Sequence, residues 1–463
     1  MKILERFEHQ LRSAQDPIKA IADGEIGKGI EIDTPQGRKP LIYADYVASG
    51  RALRQVEEFV MTELLPFYAN SHTEQSHCGA TMTQMREEAR AVIGAKCRAN
   101  ATDHAVIFGG SGATTGLNQL VHLFDVKNTP SVILVGPYEH HSNLLPWRES
   151  GARVIEIKEA PRGGVDLPHL KAVLQSIPSG TQIIGAFSAA SNVTGVCTDP
   201  APVSRSIKEF GGKVVWDYAG GGPYLPISML PRGVEIDAIV CSPHKFLGGP
   251  GASGVLIVRR DAVKMLAPSR PGGGTVVFVN ETTHDYVARL EQREEGGTPN
   301  VIGDIRAALA MIVKDVVGED YIAQHNHKLS ARVFDAWADV PGLHVLAGAN
   351  RDRLPIFSFV PMTDDGTRID YKDFTRALSD HYGIQARGGC SCAGPYVHQL
   401  LDISEDASAE LRAELLAGDD AGKPGFVRLN FSYLMDDATV AYILAAIPSL
   451  ISAFGAKGTV AAA

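Results

Sequence analysis

Residues 237–251 read DAIVCSPHKFLGGPG, a short apolar run followed at once by polar residues and glycines. The run lacks the alternation of a half-exposed strand, so it predicts a strand that is buried on both faces. Six more runs of this kind lie at residues 105–108, 131–136, 152–157, 182–187, 213–217 and 254–259. Together with the helical patterns before and after them, they predict an α/β protein with a large, mostly parallel, seven-stranded sheet covered by helices.

The C-terminal part of the chain has a different pattern. Residues 343–381 follow the order strand, loop, strand, helix, and residues 436–454 read as a closing amphipathic helix. These patterns predict a smaller α+β domain at the C-terminus. The expected organisation is an N-terminal arm at 1–40 that packs on the small domain, a large domain at 41–315 and the small domain at 316–463.

Composition and charge narrow the class of protein. The net charge of −9 argues against a nucleic-acid partner or an acidic membrane, because both require a basic face. The first twenty residues mix both charges and predict no signal peptide, and we expect no apolar run long enough to span a membrane. Six cysteines in 463 residues are too few for a disulfide scaffold, which favours a cytoplasmic location.

Reactive side chains follow the ends of five predicted strands, at residues 109–115, 139–143, 188–192, 217–222 and 242–245. In an open α/β sheet, ligands bind beyond the carboxyl ends of the strands. The sequence therefore predicts that these five segments contribute to one pocket.

A glycine-rich segment, FGGSGATTG at residues 108–116, follows a strand and enters a helix. Its backbone N–H groups could bind a phosphate at the helix N-terminus. It is not a P-loop, because no Gly-Lys-Ser/Thr follows, and Thr115 replaces the third glycine of a dinucleotide fingerprint. A phosphate cradle and a plain tight turn both remain open.

Three residues at strand ends have the chemistry of a catalytic site. Lys245 follows a buried strand, where desolvation would favour a Schiff-base amine, although a surface lysine in a glycine-rich loop is the simpler interpretation. Asp217 is either a helix N-cap or a partner for the pyridinium nitrogen of pyridoxal phosphate (PLP). His140 lies in EHHSN at residues 139–143, whose spacing is poor for zinc but suits stacking on a planar ring and proton transfer.

In chain order these motifs resemble class V aminotransferase-fold PLP enzymes of the cysteine desulfurase and selenocysteine lyase family. The most specific motifs are Ser-x-His-Lys at Ser242–Lys245 and Arg-x-Gly-x-x-Cys-Ala at Arg387–Ala393. The resemblance extends from residue 43 to residue 432 and includes SNxxG at 191–195 and GGTPN at 296–300. It implies PLP as cofactor and the fold type I architecture of PLP-dependent transferases.

The resemblance also implies roles for the residues around the cofactor. Lys245 would carry PLP, Asp217 would bind the pyridinium nitrogen, and His140 would stack on the ring. The phosphate would be held by the Ala113 backbone and by the side chains of Thr114, Ser242 and His244. Thr298 would reach the phosphate of a neighbouring subunit, which implies a homodimer.

For the substrate, the resemblance implies that Arg428, with Arg387 nearby, binds the carboxylate of an amino acid, L-cysteine first of all. Asn192 would lie near the ring hydroxyl and the substrate. The catalytic cysteine of the family lies five residues after the arginine and precedes alanine, which selects Cys392. Cys392 would take sulfur as a persulfide, alanine would leave, and a sulfur-acceptor protein would be the partner.

Other interpretations of the cysteines remain open. Cys390 and Cys392 could form a redox pair, or a partial metal site with His381 or His398. The remaining cysteines, at positions 78, 97, 197 and 241, are predicted to be small core residues. No metal is expected.

The sequence departs from the family at three places. Gly220 stands where the family has a glutamine that bonds the ring hydroxyl, Cys390 precedes the expected nucleophile, and a polar insertion occupies residues 404–423. Alternative functions are a C–S or C–Se lyase, an epimerase or an aminotransferase on another amino acid. A dinucleotide oxidoreductase and a non-catalytic sulfur-relay scaffold are the alternatives from other classes.

Overall fold

The computed structural model describes residues 1–70, 74–420 and 422–458 of the chain. The helices are α1 (Ile3–Arg12), α2 (Pro17–Asp23), α3 (Arg54–Phe59), α4 (His77–Lys96), α5 (Ala113–Leu123), α6 (Leu145–Glu149), α7 (Leu167–Ser176), α8 (Pro200–Glu209), α9 (Leu290–Glu294), α10 (Val301–Val317), α11 (Glu319–Trp337), α12 (Tyr371–Tyr382), α13 (Gly394–Leu400), α14 (Glu405–Leu416) and α15 (Asp437–Gly458).

The strands are β1 (Glu31–Thr34), β2 (Gly37–Pro40), β3 (Ile42–Tyr43), β4 (His104–Gly109), β5 (Ser131–Val135), β6 (Arg153–Glu156), β7 (Gln182–Ser188), β8 (Lys213–Asp217), β9 (Ala238–Cys241), β10 (Gly254–Arg259), β11 (Val276–Val279), β12 (His284–Tyr286), β13 (Leu343–Val345), β14 (Ile356–Pro361), β15 (Ile384–Gln385), β16 (Arg387–Gly389) and β17 (Phe426–Asn430).

The described chain forms two compact units. The first contains Met1–Ile26, Ser49–Ala190 and Thr198–Tyr321, and the second contains Gly27–Ala48, Ser191–Cys197 and the described chain from Ile322 onward. This division differs from the predicted one at the N-terminus, where residues 1–40 were expected to form an arm on the small domain. Residues 1–26 belong to the first unit, where the buried Leu4 N–H donates to Glu88 of α4 at 2.7 Å.

The first unit is built on a seven-stranded sheet in the order β4-β10-β9-β8-β7-β5-β6. All strands are parallel except β10, which runs antiparallel to both β4 and β9. Each strand coincides with one of the seven apolar runs, so the predicted mostly parallel α/β sheet is confirmed. The interior positions of the central strands are apolar because helices cover both faces of a parallel sheet.

Helix α5 packs against this sheet at very short distance. Leu117 and Leu120 of α5 share a buried apolar cluster with Val215 and Val240 of the strands. At Gly116, a Cβ atom would lie 2.9 Å from Cγ1 of Val240, so only glycine lets the helix approach this closely. The close packing fixes the N-terminus of α5 near the carboxyl ends of β8 and β9.

The second unit contains an antiparallel sheet in the order β13-β14-β17-β16. Its apolar core combines Phe357 and Phe359 of β14 with Trp337 of α11 and Phe374 of α12. Strand β3 pairs in parallel with β15, which brings residues 42–43 into this unit. The strands and helices of the unit agree with the predicted α+β character of the C-terminal part.

Helix α15 corrects the expectation that no segment is apolar enough to span a membrane. By length and composition, residues 437–456 meet that requirement. Val440, Ile443 and Ile447 of this helix are buried in the core of the second unit, where an apolar helix face is needed for packing.

Candidate active site

The carboxyl ends of β7, β8 and β9 place three polar residues side by side in the first unit. Ser188 ends β7, Asp217 ends β8, and Ser242 directly follows β9. Ser188 and Asp217 are partners in the parallel register, and all three side chains are buried. This is the sheet edge at which the sequence predicted a pocket.

Asp217 and Lys245 interact electrostatically. Burial raises the pKa of Asp217 above its ordinary value, whereas the Ala219 N–H, 2.7 Å from Oδ1, and the positive charge of Lys245 lower it. Lys245 is half-buried and ends a 3-10 turn, Pro243–Lys245, that begins immediately after Ser242. The structure therefore brings together the two residues on which the predicted cofactor chemistry depends.

The glycine-rich segment and the Ser-x-His-Lys motif meet at the N-terminus of α5. The Ala113 N–H donates to Ser242 Oγ at 3.0 Å. Gly112 has φ 61°, and a Cβ atom there would lie 2.8 Å from Ser242 Oγ and 2.9 Å from Cε1 of His244. Backbone N–H groups and hydroxyls at a helix N-terminus form an anion site, which favours the phosphate cradle over the plain turn.

Ser142 joins this cradle to His140 through two hydrogen bonds. Thr114 Oγ1 and Ser142 Oγ share a hydrogen bond of 2.8 Å, and the Ser142 N–H donates to Nδ1 of His140 at 3.1 Å. A neutral His140 ring therefore carries its proton on Nε2. Burial and the charge of Lys245 lower the pKa of His244 to about 4, so His244 is neutral near pH 7.

Glu139, the first residue of the EHHSN segment at 139–143, has a structural role that the sequence did not predict. Its buried carboxylate accepts hydrogen bonds from the Ser188 N–H and hydroxyl at 2.8 and 2.7 Å and from the Asn143 amide at 2.5 Å. The Gly136 N–H is a further donor at 3.2 Å. Glu139 thus joins the ends of β5 and β7 to the turn that carries His140. The sequence signal for this contact is that Glu139 and Asn143 lie four residues apart.

Thr298 lies in the segment between α9 and α10, at an exposed position. The segment is anchored by Glu295, which accepts from Arg86, Arg90 and the Phe108 N–H. Among the described residues, Thr298 shares no hydrogen bond with Thr114, Ser242 or His244. Its predicted role toward a neighbouring subunit stays a prediction, since a single chain is described.

In the second unit, two arginines face each other across a strand pair. Arg387 of β16 and Arg428 of β17 are register partners, and like charges in such positions repel. Asp45 bridges them, because its Oδ2 accepts from Arg387 Nε at 2.9 Å and its Oδ1 from Arg428 Nη2 at 2.7 Å. The sequence analysis did not predict a role for Asp45, although the family resemblance begins at residue 43.

Asn192 connects the buried arginine to the cysteine segment of the same unit. Its carbonyl oxygen accepts from Arg428 Nη1 at 2.9 Å, and its side-chain Nδ2 donates to the Ser391 carbonyl at 2.8 Å. Cys392 is exposed and Cys390 is half-buried. Asn192, Arg387, Arg428 and the cysteine segment are therefore assembled within one unit.

The other cysteines differ from the prediction in part. Cys97 and Cys241 are buried, whereas Cys78 and Cys197 are only partly buried. Burial raises the pKa of Cys97 to about 12, which keeps that thiol protonated. Within the described ranges, no three His, Cys, Asp or Glu side chains are grouped so that they could hold a metal ion.

Comparison with known proteins identifies the family. The family model described as aminotransferase class-V matches residues 42–440. The chain belongs to the class-V aminotransferase family. Enzymes of this family use PLP, and the chain is a PLP-dependent enzyme.

Relatives of this class-V enzyme carry a consistent name. A probable cysteine desulfurase of Aeropyrum pernix is 28% identical over 386 residues, which are 81% of this chain and 90% of that protein. A cysteine desulfurase of Enterobacter is 28% identical over 362 residues, 77% of this chain and 85% of that protein.

Solved structures support the fold type I assignment. The apo structure of a cysteine desulfurase from Thermococcus onnurineus has a TM-score of 0.73 at 23% identity and covers 89% of this chain and 95% of its own. The structure of the cysteine desulfurase CsdA of Escherichia coli has a TM-score of 0.70 at 23% identity and covers 89% of this chain and 94% of its own.

The first unit of this class-V enzyme fits PLP. At Gly112 the cradle leaves no room for a Cβ atom, and the neighbouring Ala113 and Thr114 offer an N–H donor and a hydroxyl for a phosphate. A buried carboxylate, Asp217, lies within electrostatic reach of an amine, Lys245. PLP presents a phosphate, a ring nitrogen and an aldehyde, for which these groups are the matching partners.

Proposed function

We propose that this protein is a cysteine desulfurase that takes the sulfur of L-cysteine onto Cys392 as a persulfide and releases alanine. The observation that carries the proposal is an exposed thiol in the arginine-containing segment of a class-V enzyme whose relatives at 28% identity bear the name cysteine desulfurase. An accessible thiol is what a sulfur-accepting nucleophile requires.

The residues of the first unit would hold the cofactor. Lys245 would hold it covalently through Nζ, the Asp217 carboxylate would pair with the ring nitrogen, and His140 would stack on the ring. Ala113, Thr114, Ser242 and His244 would hold the phosphate, with Thr298 of a second copy completing it in a homodimer. When bound, PLP supplies an electron sink for negative charge at the α-carbon of an amino acid.

The hydrogen bonds in the first unit support separate proton-transfer roles for His140 and Lys245. Because Nδ1 of His140 accepts the Ser142 N–H, the neutral ring can donate a proton from Nε2. Lys245 Nζ is then the group that removes the α-proton.

Arg428 would bind the substrate carboxylate. Its guanidinium plane is fixed by Asp45 and by the Asn192 carbonyl, and a fixed guanidinium favours paired hydrogen bonds to a carboxylate. Arg387, which is half exposed, would add charge at the same place. Asn192 would contact the substrate through its side chain, whose buried Oδ1 has no hydrogen-bond partner among the described residues.

The sulfur-transfer step uses the Cys392 thiolate. The thiolate attacks the substrate sulfur and forms an S–S bond, while the bond between that sulfur and the substrate β-carbon breaks. The electron pair of the broken bond stays on the β-carbon, which takes a proton, so the amino acid leaves as alanine. The persulfide would then pass to a sulfur-acceptor protein in the cytoplasm.

The test is to add L-cysteine to the PLP-loaded protein and to measure both alanine and the mass of the cysteine-containing peptide. We expect alanine and one extra sulfur on Cys392 in the wild type and in the matched control Cys390→Ser. Cys392→Ser should lose both products. Alanine production by Cys392→Ser at the wild-type rate would contradict the proposal.

Gly220 favours one second candidate, a class-V enzyme that acts on another amino acid. It stands three residues after Asp217, where the family's glutamine side chain is absent and a larger substrate would find space. A C–S or C–Se lyase, an epimerase or an aminotransferase would fit this candidate. A protein that changes its visible spectrum with another amino acid but makes no alanine from L-cysteine would support it.

A further inference from the structure

The segment that carries Cys392 is a tight turn with an uncommon backbone. The Ala393 N–H donates to the Cys390 carbonyl at 3.3 Å, which closes a four-residue turn from 390 to 393. The two central residues, Ser391 and Cys392, have φ 52° and 56°. Positive φ at both central positions defines a type I′ turn, which normally contains glycine or asparagine.

This turn brings the Cα atoms of two cysteines close together. Cys390 and Cys392 are separated by one residue, so two 3.8 Å virtual bonds limit their Cα separation to about 7.6 Å, and a turn shortens it further. Disulfides join Cα atoms about 4.4–6.8 Å apart. Cys392 is exposed and Cys390 is half-buried, so reagents in solution can reach the pair.

Asn192 holds the turn in this conformation. Its Nδ2 donates to the carbonyl of Ser391, the residue between the two cysteines. Asn192 is itself only 8% exposed and its carbonyl is bonded to Arg428, so the donor is fixed in position. A clamped turn keeps both thiols on the same short loop and reduces the entropy that closing a bond between them would cost.

We propose that Cys390 and Cys392 form a reversible disulfide when the protein meets a peroxide. The Cys392 thiolate attacks the peroxide, whose O–O bond breaks to give a sulfenic acid on Cys392 and hydroxide. Cys390 then attacks the sulfenic sulfur, an S–S bond forms, and the second oxygen leaves as water. The two thiols lose two electrons in total and the peroxide gains them, and a dithiol reductant reverses the change.

The disulfide would protect the exposed thiol. Without a neighbouring thiol, sulfenic acid proceeds to sulfinic and sulfonic acids, which are not readily reduced. If Cys392 accepts sulfur as proposed above, the disulfide also switches off desulfuration until a reductant arrives. The disulfide itself depends only on the two side chains and the turn.

The experiment treats the reduced, PLP-loaded protein with hydrogen peroxide, blocks remaining thiols and digests with trypsin. Cleavage after Arg387 and Arg412 gives a peptide of residues 388–412 that contains Cys390 and Cys392 and no other cysteine. We expect this peptide to lose two hydrogen atoms in mass and to regain them with dithiothreitol. Because the readout is a mass, it is independent of desulfurase activity.

Three variants test the geometry. Cys390→Ser should lose the disulfide and accumulate sulfinic and sulfonic acid on Cys392. Ser391→Pro should also lose it, because proline cannot adopt positive φ, whereas the matched variant Ser391→Gly should retain it. Wild-type protein that forms sulfonic acid on Cys392 with no internal disulfide would overturn the proposal, as would a disulfide unaffected by Ser391→Pro.

Discussion

The residues of the first unit that we propose hold the cofactor differ in environment from the cysteine turn of the second unit. Asp217 and Glu139 are buried, hydrogen bonded and held at the ends of parallel strands. Cys392 is exposed, on a turn with positive φ that is clamped by one side chain. Groups that interact electrostatically with a cofactor ring need a low dielectric and a fixed geometry, whereas a thiol that transfers sulfur must be accessible to solvent.

The largest effect is expected at Lys245 in the first unit. Lys245→Ala should abolish both the visible absorption of the PLP-loaded protein and alanine formation, because the substitution removes the amine whose charge reaches Asp217. The matched control is Lys264→Ala, which changes an exposed lysine and should keep both signals. Absorption spectra and an alanine assay measure the effect, and retained absorption in Lys245→Ala would remove Lys245 from the site.

The next effect concerns Asp45 in the second unit. Asp45→Ala leaves Arg387 and the buried Arg428 opposite each other with no carboxylate between them, which should lower the free energy of unfolding by about 3 kcal/mol. The control Asp33→Ala removes a fully exposed partner of Arg38 and should change stability by less than about 0.5 kcal/mol. Thermal unfolding midpoints that are equal for both variants would contradict the bridging role.

Two groups of the first unit, the buried Glu139 and the half-buried His244, should give opposite pH dependence. Burial raises the pKa of Glu139 to about 7, so between the ordinary Glu value and pH 7 the folded protein holds a proton that the unfolded chain has lost. Relative to Glu139→Gln, wild-type stability should therefore fall as the pH rises through this interval, by on the order of 3 kcal/mol.

His244 provides the opposite sign. Its pKa is lowered to about 4, so as the pH falls below the ordinary His value the unfolded chain takes up a proton first. Relative to His244→Gln, wild-type stability should be fully present above the ordinary His value and decline toward pH 4. Unfolding midpoints of both variants over this range test the pair, and parallel curves would show that these groups do not titrate as described.

The smallest effect is expected in the cysteine turn. Ser391→Gly removes the strain of one positive-φ residue but adds backbone entropy to the unfolded chain, so the net gain should be about 0.5 kcal/mol. The control Ser404→Gly changes a helix N-cap with ordinary φ and should destabilise instead. A Ser391→Gly variant that is less stable than wild type would mean that the turn is not strained.

The sequence alone determined the architecture and predicted which residues lie at the ends of its strands. Seven apolar runs predicted the seven strands, because the middle of a strand that helices cover on both faces is apolar. The strand-end positions of Asp217, Ser242 and Lys245 followed directly, since residues next to the carboxyl end of a strand stay at that edge. The sequence showed glycines at positions 112 and 116, but only the structure shows which atoms a Cβ atom there would contact.

Only the tertiary structure decided which residues far apart in the sequence form ion pairs and hydrogen bonds. The Asp45 bridge joins segments more than 300 residues apart, and Asn192 reaches Ser391 across 199 residues. No local pattern encodes such pairs, because they depend on how β16, β17 and the loops pack in the folded unit. The positive φ of Ser391 and Cys392 was also hidden, since neither residue type favours that conformation and only the surrounding contacts impose it.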